Sequence, residues 1–189
     1  MKNFRRFIEN FIPDKNTNWD YIESLIWVRE LKKGEIISHQ DKVEDYVSFI
    51  SHGIARIYHE GDWKQTTVDI RFENNFVSSY DSFLSRLPSK YTVDAVTDIK
   101  LLSIHYDDIQ KIYKQTESGN LIARKITEQN FLIKEKRQFN LLTKTPTEYY
   151  QFLIENFPKY IDQIPLNYIA SYIGVTPQAL SRIRKNLNL

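Results

Sequence analysis

The chain has 189 residues, enough for one large domain or two small ones, and its 41% hydrophobic and 26% charged content is that of a folded globular protein. Its 26 basic and 24 acidic side chains leave a net charge of +2, so overall charge points to no nucleic-acid or membrane partner. The absence of cysteine excludes disulfides, thiolate chemistry and cysteine-ligated zinc or iron–sulfur sites, and it fits a reducing cytoplasm.

The opening MKNFRRFIENFIPDK lacks the uncharged apolar core and small-residue cleavage site of a secretory leader. No window approaches the roughly 18 apolar residues of a membrane span, so no membrane partner is expected. The first dozen residues predict a basic amphipathic helix with Phe4, Phe7, Ile8 and Phe11 on one side, docked onto the domain behind it. Helical spacing continues through Trp19, Ile22, Leu25 and Ile26, which extends the helical region to about residue 30.

From Lys32 to Ile104 the period changes to two. EIISH (35–39), YVSFIS (46–51), GIARIYH (53–59), TTVDIRF (66–72), YTVDAV (91–96) and IKLLSI (99–104) are short and rich in β-branched and aromatic residues. Turn signals separate them at Lys33-Gly34, His52-Gly53, Glu60-Gly61-Asp62 and Thr97-Asp98. In TTVDIRF, Val68, Ile70 and Phe72 alternate with Thr67, Asp69 and Arg71. Short strands at this spacing predict a β-roll or jelly roll, not a parallel sheet.

The helical period returns after Tyr106, with a short helix over 107–116 and a long one from about Asn120 to Leu142. Ile122, Ile126 and Ile133 form one apolar stripe, and Phe131, Leu132, Phe139 and Leu142 lie near a second. Two stripes exceed what one packing face needs, so one is expected to cover the roll and the other to meet a second copy of the chain. The seam is assigned here to Ile122, Ile126 and Ile133. Lys144-Thr145-Pro146 marks a hinge, and Thr147 opens a further helix, TEYYQFLIENF.

Residues 164–187, IPLNYIASYIGVTPQALSRIRKNL, have the spacing of two helices crossing at a tight turn. Ala170 allows close approach, Gly174 supplies a left-handed residue after the first helix, and Thr176 and Pro177 suit the N-cap and first position of the second. Leu180 and Ile183 turn inward, leaving Gln178, Ser181, Arg182 and Lys185 outside. An ordinary αα-hairpin shows the same apolar spacing. Against that reading, Pro165 to Leu189 contains Arg182, Arg184 and Lys185 but no Asp or Glu, and Gln and Arg make paired bonds to adenine and guanine edges. A helix-turn-helix with a DNA-reading second helix is expected.

This order of β-roll, long helix and terminal helix-turn-helix resembles the cyclic-AMP receptor protein/fumarate-nitrate regulator (Crp/Fnr) family of bacterial transcription factors. The resemblance spans the chain and is most specific over LKKGEIISHQDKVEDYVSFISHGIARIYHEG (31–61) and over the helix-turn-helix. It implies an α+β protein with a cyclic-nucleotide-binding-like roll (1–118), a central dimerisation helix (119–142) and a DNA-binding domain (143–189). It further implies a homodimer reading double-stranded DNA at a palindrome, with RNA polymerase as a further partner. The base-reading positions correspond to Pro177, Gln178 and Arg182. Pro177 offers no donor, which leaves Gln178, Arg182 and Ser181. The chain ends at Leu189, so the wing that relatives carry after the second helix is not expected.

The resemblance places the effector pocket over residues 75–96, with Phe76, Tyr80, Tyr91 and Thr92 around the key positions. There it departs from the nucleotide-binding pattern. Ser78-Ser79 replace a Gly-Glu pair that holds the ribose, and Ser89-Lys90 replace an Arg-Ser pair that holds the cyclic phosphate. Losing both contacts at about 2 kcal/mol each weakens binding about a thousandfold. The expected effector is an unidentified small molecule other than cyclic AMP, with Arg86 and Lys90 leaving the cleft attractive to anions. The alternative is a ligand-binding or interaction module on this fold without DNA binding.

His39, His52, His59 and His105 lack metal-site spacing, and the five glycines form no phosphate loop. No cofactor and no enzymatic activity are expected. The 12 Tyr, 11 Phe and 3 Trp fall mostly at core spacing, so they are read as packing and not as a base-stacking platform.

Overall fold

Two four-stranded antiparallel sheets make up the period-two middle of the chain. The computed structural model describes residues 1–11 and 17–187, and the side chains of Phe11 and Glu117 fall outside the described set. Helices α1 (Lys2–Phe11) and α2 (Trp19–Ser24) precede strands β1 (Trp27–Leu31), β2 (Ile36–Ser38), β3 (Tyr46–His52), β4 (Ala55–Glu60), β5 (Gln65–Arg71) and β6 (Phe76–Val77). Helix α3 (Tyr80–Ser85) leads to β7 (Thr92–Ala95) and β8 (Ile99–His105). Helices α4 (Tyr106–Gln115), α5 (Glu117–Thr143), α6 (Pro146–Asn156), α7 (Pro158–Ile161), α8 (Leu166–Tyr172) and α9 (Pro177–Asn186) follow.

The sheets run β1-β8-β3-β6 and β2-β7-β4-β5. Ile50, Ile57, Val77, Val93 and Leu101 fill the space between them. Gly53 turns β3 into β4 at φ +96°, and a Cβ there would sit 2.4 Å from the Asp98 carbonyl oxygen, so no other residue fits.

The helical reading of the first 30 residues needs correction. Helix α2 stops at Ser24, and Trp27–Leu31 instead pairs antiparallel with β8, Trp27 opposite Ser103 and Leu31 opposite Ile99. A partner some 70 residues away decides this segment over its local spacing. Helix α5 begins three residues before Asn120, and α6 opens at Pro146 with Thr145, not at Thr147. Thr145 and Glu148 form a reciprocal capping box there.

A second core lies outside the β3 sheet. Phe4 and Ile8 of α1 and Trp19 and Ile22 of α2 pack on Phe49 and Phe76, joined by Ile122 and Ile126 of α5. A third core builds the terminal domain from Tyr149, Leu153, Ile161, Ile169, Ala170 and Leu180, and it takes in Ile54, Ile70 and Val96 of the roll. The roll and the terminal domain are therefore seated on each other.

Strand β5 shows the effect of that seating. Its alternation suggests one polar face in water, yet Thr67, Asp69 and Arg71 are buried as well. Helices α5 and α8 cover this face. The Asp69 Oδ2 accepts from the Arg71 Nη2 at 2.7 Å, and the Arg71 Nη1 donates to the Asn130 Oδ1 at 3.1 Å, so no charge is buried alone.

Candidate nucleic-acid interface and ligand cavity

Helix α8 ends in a paired set of backbone bonds. The Val175 amide donates to the Ala170 carbonyl at 2.9 Å and the Gly174 amide to the Ser171 carbonyl at 3.2 Å, with Gly174 at φ +79°. This is a Schellman motif, and the left-handed residue it needs explains the glycine. Thr176 then accepts from the Ala179 amide through its hydroxyl at 3.2 Å and starts α9 with Pro177 at its first turn. The Thr176 side chain thus serves the helix start. Ala170 and Leu180 are fully buried where α8 and α9 cross.

Thr176, Pro177, Gln178, Ser181, Arg182 and Lys185 are exposed. The side chains of Gln178, Ser181, Arg182 and Lys185 make no hydrogen bond or ion pair to any described residue. Arg184 and Lys185 occupy the last turn of α9, where the helix dipole favours cations. The outward face is basic and uncommitted.

The terminal domain is fixed to the roll at several points. The guanidinium of Arg56 forms a two-pronged pair with Asp94, at 3.1 and 2.6 Å, and lies between the rings of Tyr58 and Tyr168, 3.9 and 3.6 Å from their centres. Phe72 stacks on Phe157 and Tyr160 at 4.8 and 4.7 Å. Glu73 takes the Lys159 ammonium at 2.6 Å and the His52 Nδ1 at 2.8 Å. Burial opposes ionisation of Glu73, but hydrogen bonds from Lys159 and from the Gly53 amide outweigh it and hold the carboxyl below its ordinary value. Thr176, Pro177 and Ala179 face the β4–β5 hairpin residues Lys64 to Thr67 across an open cleft of 820 Å³.

Beneath α5 the roll opens into a cavity of 430 Å³. Five of the eight expected effector residues line it: Phe76, Ser78, Ser79, Tyr80 and Tyr91. Ser89, Lys90 and Thr92 do not. Ser89 is buried and bonded to the Ser79 hydroxyl at 2.7 Å and the Tyr91 carbonyl at 2.7 Å, while Thr92 accepts from the Gln40 amide at 3.1 Å. Lys90 points to solvent. Arg86 is turned the other way, onto Asp45 and over the Tyr106 ring. The cations at the cavity are instead Arg71, Lys134 and Arg137. Asn130 ties this wall together, donating to the Tyr80 hydroxyl at 3.1 Å, and burial raises the pKa of that hydroxyl so that it stays neutral. A signal for these residues existed, because Asn130, Arg137 and Asn140 interrupt the apolar stripe of Ile122, Ile126 and Ile133 at helical spacing.

Ile122 and Ile126 of that stripe are partly buried against the second core, whereas Ile133 stays 36% exposed beside the terminal domain, so the roll takes up part of the seam assigned to them. The most exposed apolar side chains of α5 are Phe131, Leu132, Phe139 and Leu142, at 62%, 58%, 64% and 75% exposure, ahead of Leu141 and Ile133 at 39% and 36%. At about 100° per residue these four share an arc of about 100° opposite Ile122 and Ile126.

Comparison with known proteins agrees with this architecture. Residues 28–116 match the cyclic nucleotide-binding domain family. No curated protein sequence matches the chain. Among solved structures, the c-di-GMP-responsive global regulator CLP of Xanthomonas campestris superposes with a TM-score of 0.72 at 13% identity, covering 90% of both chains. FixK2 of Bradyrhizobium japonicum gives 0.71 at 19% identity, covering 86% of this chain and 84% of that one. A crp/fnr-family transcriptional regulator from Eubacterium rectale gives 0.72 at 16%, covering 97% and 88%. None of the helices is long and apolar enough to cross a membrane among the described residues.

Proposed function

We propose that this chain, which carries a cyclic nucleotide-binding domain in the fold of the Crp/Fnr transcription regulators, is a homodimeric, sequence-specific DNA-binding regulator. The observation that carries the reading is the outward face of α9, where Gln178, Ser181, Arg182 and Lys185 are exposed, free of partners in the chain and without an acidic neighbour on the helix. Such a helix inserts its first turns into a major groove, with Arg182 and Gln178 reading base edges and Lys185 a phosphate. Dimerisation uses the exposed arc of Phe131, Leu132, Phe139 and Leu142, in place of the stripe whose Ile122 and Ile126 are partly buried against the roll. An isologous pairing of this kind presents two copies of α9 to a palindrome whose half-sites lie about 10 base pairs apart.

The 430 Å³ cavity is the effector site of this regulator. Ser78 and Ser79 supply no carboxylate for ribose hydroxyls, and the acids at the wall are committed, Asp69 to Arg71 and Asp81 to the Ser79 hydroxyl, so the effector we propose is not cyclic AMP. Selection of bound sequences from a random DNA pool with the purified protein tests the reading. Enrichment of one two-fold palindrome is expected. Recovery of unenriched DNA, or of none, would leave a ligand-binding module without DNA recognition.

A further inference from the structure

Helix α5 buries two asparagines on its inward side, and their surroundings differ. Asn130 is paired at both ends, to Arg71 and to the Tyr80 hydroxyl. Asn140 is only 5% exposed, and its carboxamide, which makes no hydrogen bond to any described residue, opens onto a cavity. The buried donor without a partner on this wall is the Nε of Arg137, one turn earlier, and native structures rarely keep such a group unless a water or a ligand meets it.

Asn140 fronts a second cavity, of 220 Å³, bounded by the roll, α5 and the terminal domain. Arg137 lies beside it. Its Nη2 donates to the Tyr172 carbonyl at 3.2 Å, and its Nε is buried with no acceptor. Lys136 also lines the space, with its ammonium 5.0 Å from the centre of the Phe152 ring and no carboxylate partner. The acidic group at the wall, Asp69, is already satisfied, accepting from the Ile70 amide at 2.9 Å and the Arg71 Nε at 2.8 Å. The unmet groups are therefore mainly donors with positive charge. The other walls are rings, namely Phe72, Tyr149, Phe152, Phe157 and Tyr172.

Donors at one end and rings around the rest define a ligand with an oxyanion head and a flat apolar body. A carboxylate matches the head, having two oxygens and only acceptor sites. A dry cavity of about 150 Å³ suffices for benzene, so 220 Å³ holds one ring with its carboxyl group. We propose that this junction binds a small aromatic carboxylate, held by Arg137 and Asn140 at its charged end. Roll and terminal domain both supply walls, so the ligand binds only while the two are seated together. The inference is independent of DNA recognition, and its test contains no DNA.

The probe is benzoate, with acetate and benzyl alcohol as partial analogues, and the readout is thermal denaturation of the full chain. Benzoate in large excess over its dissociation constant should raise Tm by several degrees, and neither analogue should match it. Asn140→Leu should weaken benzoate binding about tenfold. The same variant should melt, without ligand, no lower than the wild type, because it removes an amide that has no partner. Asn140→Asp, nearly isosteric and anionic, should abolish the shift. Lys134→Ala, which alters only the larger cavity, should bind benzoate as the wild type does. No shift with benzoate, an equal shift with benzyl alcohol, or undiminished binding by Asn140→Leu overturns the proposal. Lower unliganded stability of Asn140→Leu would mean a water alone fills the site, which also overturns it.

Discussion

The hydroxyl of Ser171 accepts a hydrogen bond from the backbone amide of Thr67 at 2.8 Å, joining the first helix of the helix-turn-helix to a strand edge 104 residues away in sequence. Thr67 belongs to β5, the outermost strand of its sheet, so this amide has no ladder partner on that side. Ser171→Ala would leave it buried and unpaired. The expected loss is about 1–3 kcal/mol, read as a lower urea midpoint with an unchanged slope. Stability equal to the wild type would show that water replaces the hydroxyl and that this contact does not hold the domains together.

Glu73 gives the same junction a pH dependence. Its carboxyl is held below the ordinary value by Lys159 and the Gly53 amide, despite burial. A depressed folded value means the stabilisation is present above the unfolded pKa of about 4.3 and is lost as pH falls through the folded one. Glu73→Gln should therefore destabilise the chain near neutrality, and the gap to the wild type should close in acid. Denaturation at a series of pH values reads it, and a gap independent of pH would refute the assignment.

Much of this architecture was legible in the sequence, for identifiable reasons. Strands such as TTVDIRF announce themselves by alternation, and Thr176-Pro177 after Gly174 marks the second helix through requirements of the backbone alone. Strand β1 was hidden because its edge is made by β8, far along the chain, while Leu25 and Ile26 continue a helical rhythm past the end of α2. The cavity was half legible. Ser78, Ser79 and Tyr80 sit where a linear motif places them, but Lys134 and Arg137 arrive on a helix more than 50 residues later. The two stripes of α5 were visible as a pair, while which one meets the roll depends on packing that spacing does not encode.

On α9, Arg182→Ala should weaken binding to the selected operator by about 1–3 kcal/mol and relax the preference at one base pair per half-site. Lys185→Ala should weaken all sequences alike and flatten the dependence on salt. Gel-shift titrations over several salt concentrations separate the two. Equal, sequence-independent losses in both variants would reject the roles.

The pairing surface is tested by contrast. Leu132→Lys with Phe139→Lys sets four ammonium groups across a two-fold seam, so the double variant should sediment as a folded monomer and lose most of its affinity for a full palindrome. Ile126→Lys should act differently, destabilising the fold by about 2 kcal/mol or more, because that position is covered by the chain's own roll. A double variant that remains dimeric would exclude the exposed arc as the seam.

Cyclic AMP at millimolar concentration should change neither the melting temperature nor the affinity for DNA. A ligand at 100 times its dissociation constant adds about 2.7 kcal/mol, a shift of a few degrees that calorimetry detects readily. Such a shift would mean that Arg71, Lys134 and Arg137 substitute for the missing ribose and phosphate contacts.

Helix α5 is committed on both sides along much of its 27 residues. One flank serves the roll, the two cavities and the terminal domain, and the opposite flank carries four exposed apolar side chains. Freedom to vary is left to narrow strips between them, at positions such as Gln129. Tolerated substitutions along this helix should then recur twice per turn, where an ordinary surface helix allows one broad permissive face. In a saturation library scored for folded dimer, α5 should be among the least forgiving segments of the chain, although it has more exposed positions than any strand of the roll.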